Sequence, residues 1–323
     1  MPRPINRAND MNIMKLIERY DSDDKCRLTL EKLRWPLGVR CIRCQSEKVY
    51  RADSRKQFEC SPCGYHFSVT AGTIFHDSHL PLRKWFIATY LICESKKGVS
   101  ALQLKRTLGV AYKTAWYLCH RIREAVKDVG HETMLNGIVE CDEAFIGGNP
   151  KNMHANRKAK LERVPGSMRF AHKTAVLGAL QRDGDVRLEV CREKQITRKV
   201  LHEFIKAKLA DETEMIVTDD FNQYDGIADG NTKHATVSHT QKEWVRGIVH
   251  TNGLEGVWSL FKRSIVGSYH QISVKHLDRY LDEFEFRFNN RENSFLFRDT
   301  LLRLLNSTNL EYKNLIAEDD EAA

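Results

Sequence analysis

Apolar positions along this chain change period near residue 130. Before that point they recur at three- and four-residue intervals, and in residues 81–95 Leu82, Trp85, Phe86, Thr89, Tyr90 and Cys93 share one helix face. Ser100 is placed to cap a second helix running to Leu108, Leu108-Gly109-Val110 supplies a glycine-containing turn, and a third helix follows from about Tyr112. Trp116, Leu118 and Ile122 would face inward. From about residue 136 strands appear. "NGIVECDEAFIGG" reads as a strand ending in glycines, and "KTAVLGALQRDGDVRLEVC" as a hairpin turning at Asp183-Gly184. "TRKVLHEFIKAKLA" is an amphipathic helix, "TEMIVTDDFNQY" a short buried strand that stops at acids, and "ATVSHT" a fifth short strand. Residues 249–273 and "VKHLDRYLDEFEFRFNN" then read as helices.

A chain of 323 residues is long enough for two domains with cores of their own. The longest apolar stretch, "WFIATYLIC" at 85–93, is too short to span a bilayer, and the first twenty residues lack an apolar core and a cleavage site. The expectation is a soluble, cytoplasmic protein with no membrane partner. Its charge is unevenly spread: residues 1–130 hold 24 basic and 13 acidic side chains, while the remainder carries a net −3. A basic front and a mildly acidic back point to double-stranded DNA as partner and to a body that uses carboxylates. The third helix offers Lys113, Thr114, Arg121 and Arg123 to DNA, beside Tyr112 and Tyr117. A second basic stretch after the first long strand adds Arg157, Lys158, Lys160 and Arg163, a pattern suited to tracking phosphates.

Nine cysteines divide into two groups. Cys41-x-x-Cys44 and Cys60-x-x-Cys63 flank a segment of hairpin length, which lets four thiolates close a tetrahedron around one structural Zn²⁺ per chain. A ribbon this small has no room for an apolar core, so the metal would supply much of its folding free energy. His66 is then a surface or packing residue. Cys26, Cys93, Cys119, Cys141 and Cys191 lie in apolar or helical stretches and read as small buried side chains.

Three strands, a helix, a strand and late helices follow the order of an RNase H-like fold. The fold class expected is α/β, with an RNase H-like catalytic domain behind a small zinc ribbon and a helix-turn-helix bundle. The boundaries expected are a helical lead-in over 1–35, the ribbon over 36–72, the helix-turn-helix over 73–131, the catalytic domain over 132–305 and an acidic, flexible tail over 306–323. In such a fold the first strand and the end of the fourth lie side by side, with a late helix crossing near them. Asp142, Asp219 and Glu255 would then meet, and three converging carboxylates repel one another unless cations are present, which suits two Mg²⁺ ions. Glu140 shares the strand face of Asp142, Glu143 points to the other face, and Asp220 is an alternative to Asp219. Asn252, Glu255 and Lys262 fall near one helix face, with Trp258 between them reading as core. Asn252 and Glu255 compete for the third ligand position. The carboxylate brings net charge, and Asn252 stands where a helix cap is wanted.

"CGYHFSVTAGTIFHDSHLPLRKW", "GVAYKTAWYLCHRIREA", "VECDEAFIGG", "HTNGLEGVWSLFKRSIVGSYH" and "YLDEFEFRFNNR" resemble the blocks of the ISXO-like insertion-sequence transposases, over about residues 27–305. That resemblance implies a zinc ribbon and helix-turn-helix joined to a DDE-type domain, with Asp142 and Asp219 as metal ligands and Lys262 as the basic residue of the last motif. It implies a DNA transposase that cleaves the ends of an insertion element with Mg²⁺ and transfers the freed strand to target DNA. Two ends cut together imply a homo-oligomer. The rival readings are a DNA-binding regulator with an inactive transposase body, and an RNase H-like nuclease that does not transfer strands.

Overall fold

Asn12 and Ser22 each accept a hydrogen bond from the backbone amide three residues on, and so start α1 (Ile13–Arg19) and α2 (Asp23–Arg34). The computed structural model describes residues 11–52, 55–127, 133–147, 155–156, 173–193, 195–228, 232–238 and 245–317. They fall into two compact units, Met1–Lys127 with Asn290–Ala323, and Asp128–Asn289.

In the first unit a three-stranded antiparallel ribbon, β1 (Val49–Ala52), β2 (Gln57–Cys60) and β3 (His66–Phe67), follows the two helices. Phe58 and Phe67 are buried and meet Trp35 edge-on, with Val49, Ile42 and Tyr65 around them. The ribbon therefore has a small aromatic core, contrary to the expectation of none. That core is completed from outside it, by Trp35 at the end of α2. The same helix holds the ribbon through polar side chains: Arg34 Nη1 donates to the carbonyls of Val69 and Ala71 at 2.6 and 2.9 Å, and Arg51 pairs with Glu31 at 2.6 Å. A boundary between lead-in and ribbon at residue 35 thus cuts a packed structure.

α3 (Leu82–Glu94), α4 (Ala101–Leu108) and α5 (Tyr112–Val126) follow as the pattern predicts. Ser100 Oγ accepts from Gln103 N at 3.1 Å to start α4, and Gly109 ends it in the left-handed region at φ 59°.

The second unit is built on one mixed sheet. β4 (Ile138–Ile146), β5 (Thr174–Gln181) and β6 (Val186–Val190) run antiparallel in succession, whereas β7 (Met215–Asp219) pairs parallel to β4 and β8 (Lys233–Val237) parallel to β7. The order β6-β5-β4-β7-β8 is that of an RNase H-like sheet. One face packs Val139, Cys141, Leu177 and Ile216 against α6 (Arg198–Lys208). The other packs Ala144, Val176, Leu180 and Leu188 against α7 (Asn252–Ser264) and α8 (Leu277–Asn289). Strand alternation therefore sends Val139 and Cys141 to the α6 side, and Glu140, Asp142 and Ala144 to the α7 side. α7 is shorter than the 249–273 expected, because a π-helical turn, Ile265–Tyr269, interrupts it. Edge strand β6 is closed by side chains of α8: Glu285 accepts from Leu188 N, and Asn289 bonds both the N–H and the carbonyl of Val186.

α9 (Leu296–Asn306) and α10 (Tyr312–Ile316) belong to the first unit. Phe297 packs on Tyr20, Phe86 and Tyr90, Leu315 is buried, and Tyr117 donates to the carbonyl of Leu310. Residues 290–305, expected in the catalytic domain, thus belong to the other unit, as a turn over 290–295 and nearly all of α9. The described part of the expected tail, 306–317, is also packed.

Candidate active site and metal centre

Asp142 lies at the middle of β4, opposite Gly178 of β5. The parallel register sets Glu140 beside Val217, and two residues further along each strand stand Asp142 and Asp219. Burial raises the Asp142 carboxyl to about 6, with the negative charges of Asp219 and Glu255 adding to the rise. Two of the acids picked from the sequence, Asp219 and Glu255, therefore act on the third, Asp142. Asp219 Oδ1 accepts from Phe221 N at 3.2 Å at the end of β7, and its neighbour Asp220 is taken up by the Ser238 hydroxyl at 2.6 Å.

Asp142, Glu255 and Lys262 line one open cleft of about 560 Å³ with Glu143, Trp258, Ser259, Arg263 and Val266. Asp219 is not part of that lining. Glu255, Ser259, Lys262 and Val266 follow one another at four, three and four residues, which puts them on one stripe of α7 and the turn after it. That spacing is a signal the sequence carried for Ser259. Arg263 could have been found the same way, one residue off the stripe. Glu143 sits on the α6 side of β4, as the strand period predicts, with Tyr224 near its carboxyl. Burial first, then the Asp142 and Asp219 charges, push its carboxyl up to about 8.

Two neighbours of the acids have other work. Glu140, 1% exposed, accepts from Leu254 N at 2.9 Å through one oxygen and from Arg182 Nε at 3.0 Å through the other. It thereby caps α7 in place of its N-cap residue Thr251, whose side chain makes no capping bond. Asn252, expected to cap, is instead exposed in the first turn and outside the cleft lining. Trp258 is core, as expected, and its indole Nε1 also donates to Asp142 Oδ2 at 3.0 Å. The ring occupies the place of a side chain at position 178: a Cβ there would come within 2.4 Å of Trp258 Cζ2. Gly178→Ala is accordingly expected to destabilise the second unit by about 1–3 kcal/mol, read as a lowered midpoint of denaturant unfolding. An unchanged midpoint would show that the indole moves aside without cost.

Among the described residues only Cys41, Cys44, Cys60 and Cys63 bring ligand atoms all within 4.8 Å of one another. Two of their sulfur pairs are Cys44–Cys60 at 3.5 Å and Cys41–Cys63 at 3.7 Å. A tetrahedron of Zn–S bonds of about 2.3 Å has edges of about 3.8 Å, so four thiolates at these separations fit zinc. Burial opposes ionisation of Cys41, yet the amides of Cys44 and Arg43 together with the thiols of Cys60 and Cys44 outweigh it and lower that thiol to about 6. The carboxylates of the cleft are not drawn to such distances. Their donor chemistry, hard oxygen without thiolate or imidazole, fits Mg²⁺.

The residues offered to DNA divide. Lys113 and Thr114 are exposed at the start of α5. Arg121 and Arg123 are not available: they are 4% and 1% exposed. Arg121 donates to His76 O at 2.7 Å and Asn309 Oδ1 at 2.8 Å and lies over the Trp85 and Tyr117 rings. The segment after α9 supplies Asn309, so the part of α5 around Arg121 and Arg123 is inside a packed bundle, and only its start remains exposed. Arg157, Lys158, Lys160 and Arg163 lie outside the described residues.

No helix among the described residues is long and apolar enough to cross a membrane. Comparison with known proteins returns a transposase zinc-ribbon domain over residues 21–66, which takes in α2, and an ISXO2-like transposase domain over 134–289. The chain is 28% identical over 280 residues to an uncharacterized protein in transposable element ISH50 of Halobacterium salinarum, covering 85% of this chain and 93% of that one. Among solved structures, a pre-cleavage Mos1 transpososome aligns at 10% identity over 67% of this chain and 77% of that chain, with a TM-score of 0.25. Residues 134–289 thus match the ISXO2-like transposase domain and residues 21–66 the transposase zinc ribbon, and this chain is similar to the ISXO2-like transposases through both.

Proposed function

We propose that this protein cleaves DNA at the ends of an insertion element and joins the freed strand to target DNA. The observation that carries the reading is the cleft that Asp142 and Glu255 line with Lys262, where Asp142 is raised both by burial and by the charges of Asp219 and Glu255. Acids crowded in this way favour a divalent cation. Asp142, Asp219 and Glu255 would hold Mg²⁺. When bound, such ions stabilise the attacking and leaving oxygens of an in-line displacement at phosphorus.

Lys262 and Arg263 line the same cleft and hold phosphates of the DNA strand against the acids. In the first step water attacks a phosphodiester, the bond from phosphorus to the 3′-oxygen breaks, and that oxygen takes up a proton to leave a 3′-hydroxyl. In the second, this hydroxyl loses its proton as it attacks a target phosphodiester, and the displaced target 3′-oxygen gains one. Neither step needs a covalent protein intermediate. Structural zinc at the four cysteines orders the ribbon, and exposed Lys113 and Thr114 of α5 are offered to duplex DNA. Arg157, Lys158, Lys160 and Arg163 would track the backbone of that DNA. Cutting two ends together calls for a homo-oligomer on DNA.

The test is to incubate purified protein with DNA carrying the element's own ends and Mg²⁺. Cleaved 3′-hydroxyl ends and joined products are expected. Cleavage without joining would make the protein a nuclease, and binding without cleavage a regulator.

A further inference from the structure

Asp142 and Glu255 stand on elements far apart in the chain, and two hydrogen bonds, one on each side of Glu255, fasten those elements together. Before it, Leu254 N of α7 donates to Glu140 Oε2 of β4 at 2.9 Å; after it, Trp258 Nε1 donates to Asp142 Oδ2 at 3.0 Å. Both fasteners have their surroundings shaped around them. Glu140 is held by Arg182 through its other oxygen, His250 Nδ1 lies 3.4 Å from that same oxygen, and a Cβ at Gly253 would come within 2.8 Å of Oε2. Trp258 lies against Gly178, the residue that pairs with Asp142 across β4 and β5, in space that a Cβ would take.

A donor at a buried helix start must be satisfied, and a carboxylate there also complements the helix dipole, which accounts for Glu140 on stability grounds alone. The second bond also satisfies a buried indole N–H, but its acceptor is an acid of the cleft. An indole N–H directed at a cleft carboxylate restricts the plane in which that carboxylate can turn, on the residue whose geometry the chemistry depends upon. We infer that Glu140 and Trp258 are positioning residues, which together set the Asp142 carboxylate against Glu255 for cation binding. The inference rests on the reading of Asp142 and Glu255 as the acids of the active site.

The test uses the full-length, zinc-loaded chain and Mg²⁺ alone as probe. Trp258→Phe keeps a ring in the core and removes the N–H. Glu140→Gln keeps an acceptor for Leu254 N and removes the charge that Arg182 and His250 hold. Each is measured for melting temperature, for Mg²⁺ affinity by calorimetry, and for single-turnover cleavage against Mg²⁺ concentration, with Asp142→Asn as the control lacking the ligand. We expect each variant to weaken Mg²⁺ binding by about tenfold, with a matching rise in the Mg²⁺ needed for half-maximal cleavage. Metal-free duplex binding should be unchanged.

A purely structural role lowers the melting temperature and leaves the Mg²⁺ dependence of the folded fraction where it was. That result in both variants overturns the inference. If Trp258→Phe does not fold, the Glu140→Gln titration decides alone. A wild-type chain that takes up no Mg²⁺ overturns the functional reading and this inference with it, whereas wild-type uptake with unaltered variants overturns the inference only.

Discussion

Glu255→Gln is expected to lower Mg²⁺-dependent strand cleavage by on the order of a thousandfold while leaving duplex binding intact. Glu255 lies exposed on the first turns of α7, so the substitution leaves no hole and strains no rotamer. What it removes is net charge. An amide oxygen offers a cation only a dipole, and the site would then depend on two aspartates, one of which, Asp142, is largely buried and costly to keep charged without a cation. Asn252→Ala should be mild by comparison. Asn252 is exposed, lies outside the cleft lining, and has its capping role taken by Glu140. Single-turnover cleavage of a labelled element end, with binding followed in the absence of metal, separates the two variants. A well-folded but inactive Asn252→Ala beside a normally active Glu255→Gln would move the third ligand to the amide.

The sequence displayed these acids for a physical reason, and its silence elsewhere has one too. Strand period and helix period are local, so the face of β4 that carries Asp142 and the stripe of α7 that carries Glu255 and Lys262 could be read without any contact. The double CxxC was equally legible, because ligand spacing within a hairpin is a property of a short segment. Arg121 was misjudged because its burial depends on Asn309 and on Tyr117 closing over it, and no pattern near residue 121 announces a partner so distant in the chain. Glu140 looked like a spare ligand for the same reason: its partner Leu254 N belongs to an element that only the folded sheet brings near. Gly178 carried no signal at all. A glycine inside a strand hints at a close approach, but not that a tryptophan makes it. In each case the missing term is a long-range contact made by a polar or absent side chain, which hydrophobic periodicity does not encode.

Removing zinc is expected to unfold the ribbon between residues 41 and 67 while α3, α4 and α5 stay helical. The four thiolates sit where a tetrahedral ion would hold them, and zinc bound by small domains of this kind contributes about 10–16 kcal/mol of apparent free energy at neutral pH. Without it, thiolates packed at sulfur separations of 3.5 and 3.7 Å repel one another, and protonating them leaves four thiols, Cys41 and Cys60 of them buried, with no ligand bond. Opposing that loss are the Trp35, Phe58 and Phe67 cluster and the hold of Arg34 and Glu31 on the ribbon. Those contacts are few and largely come from α2, so they can keep the helix and the ribbon's ends adjacent without fixing the hairpin. The α3–α5 bundle has its own core, with Phe86 against Phe297 and Trp85 against Phe75, none of it routed through the cysteines. Chelation, or Cys60→Ala with Cys63→Ala, should therefore abolish bound zinc, expose the 41–67 segment to protease and to amide exchange, and leave most of the helical circular dichroism in place. Duplex affinity should fall together with the ribbon's order if the ribbon takes part in binding. Amide protection in β1 and β2 that survives complete loss of zinc would show instead that α2 and the aromatic cluster hold the ribbon without the metal.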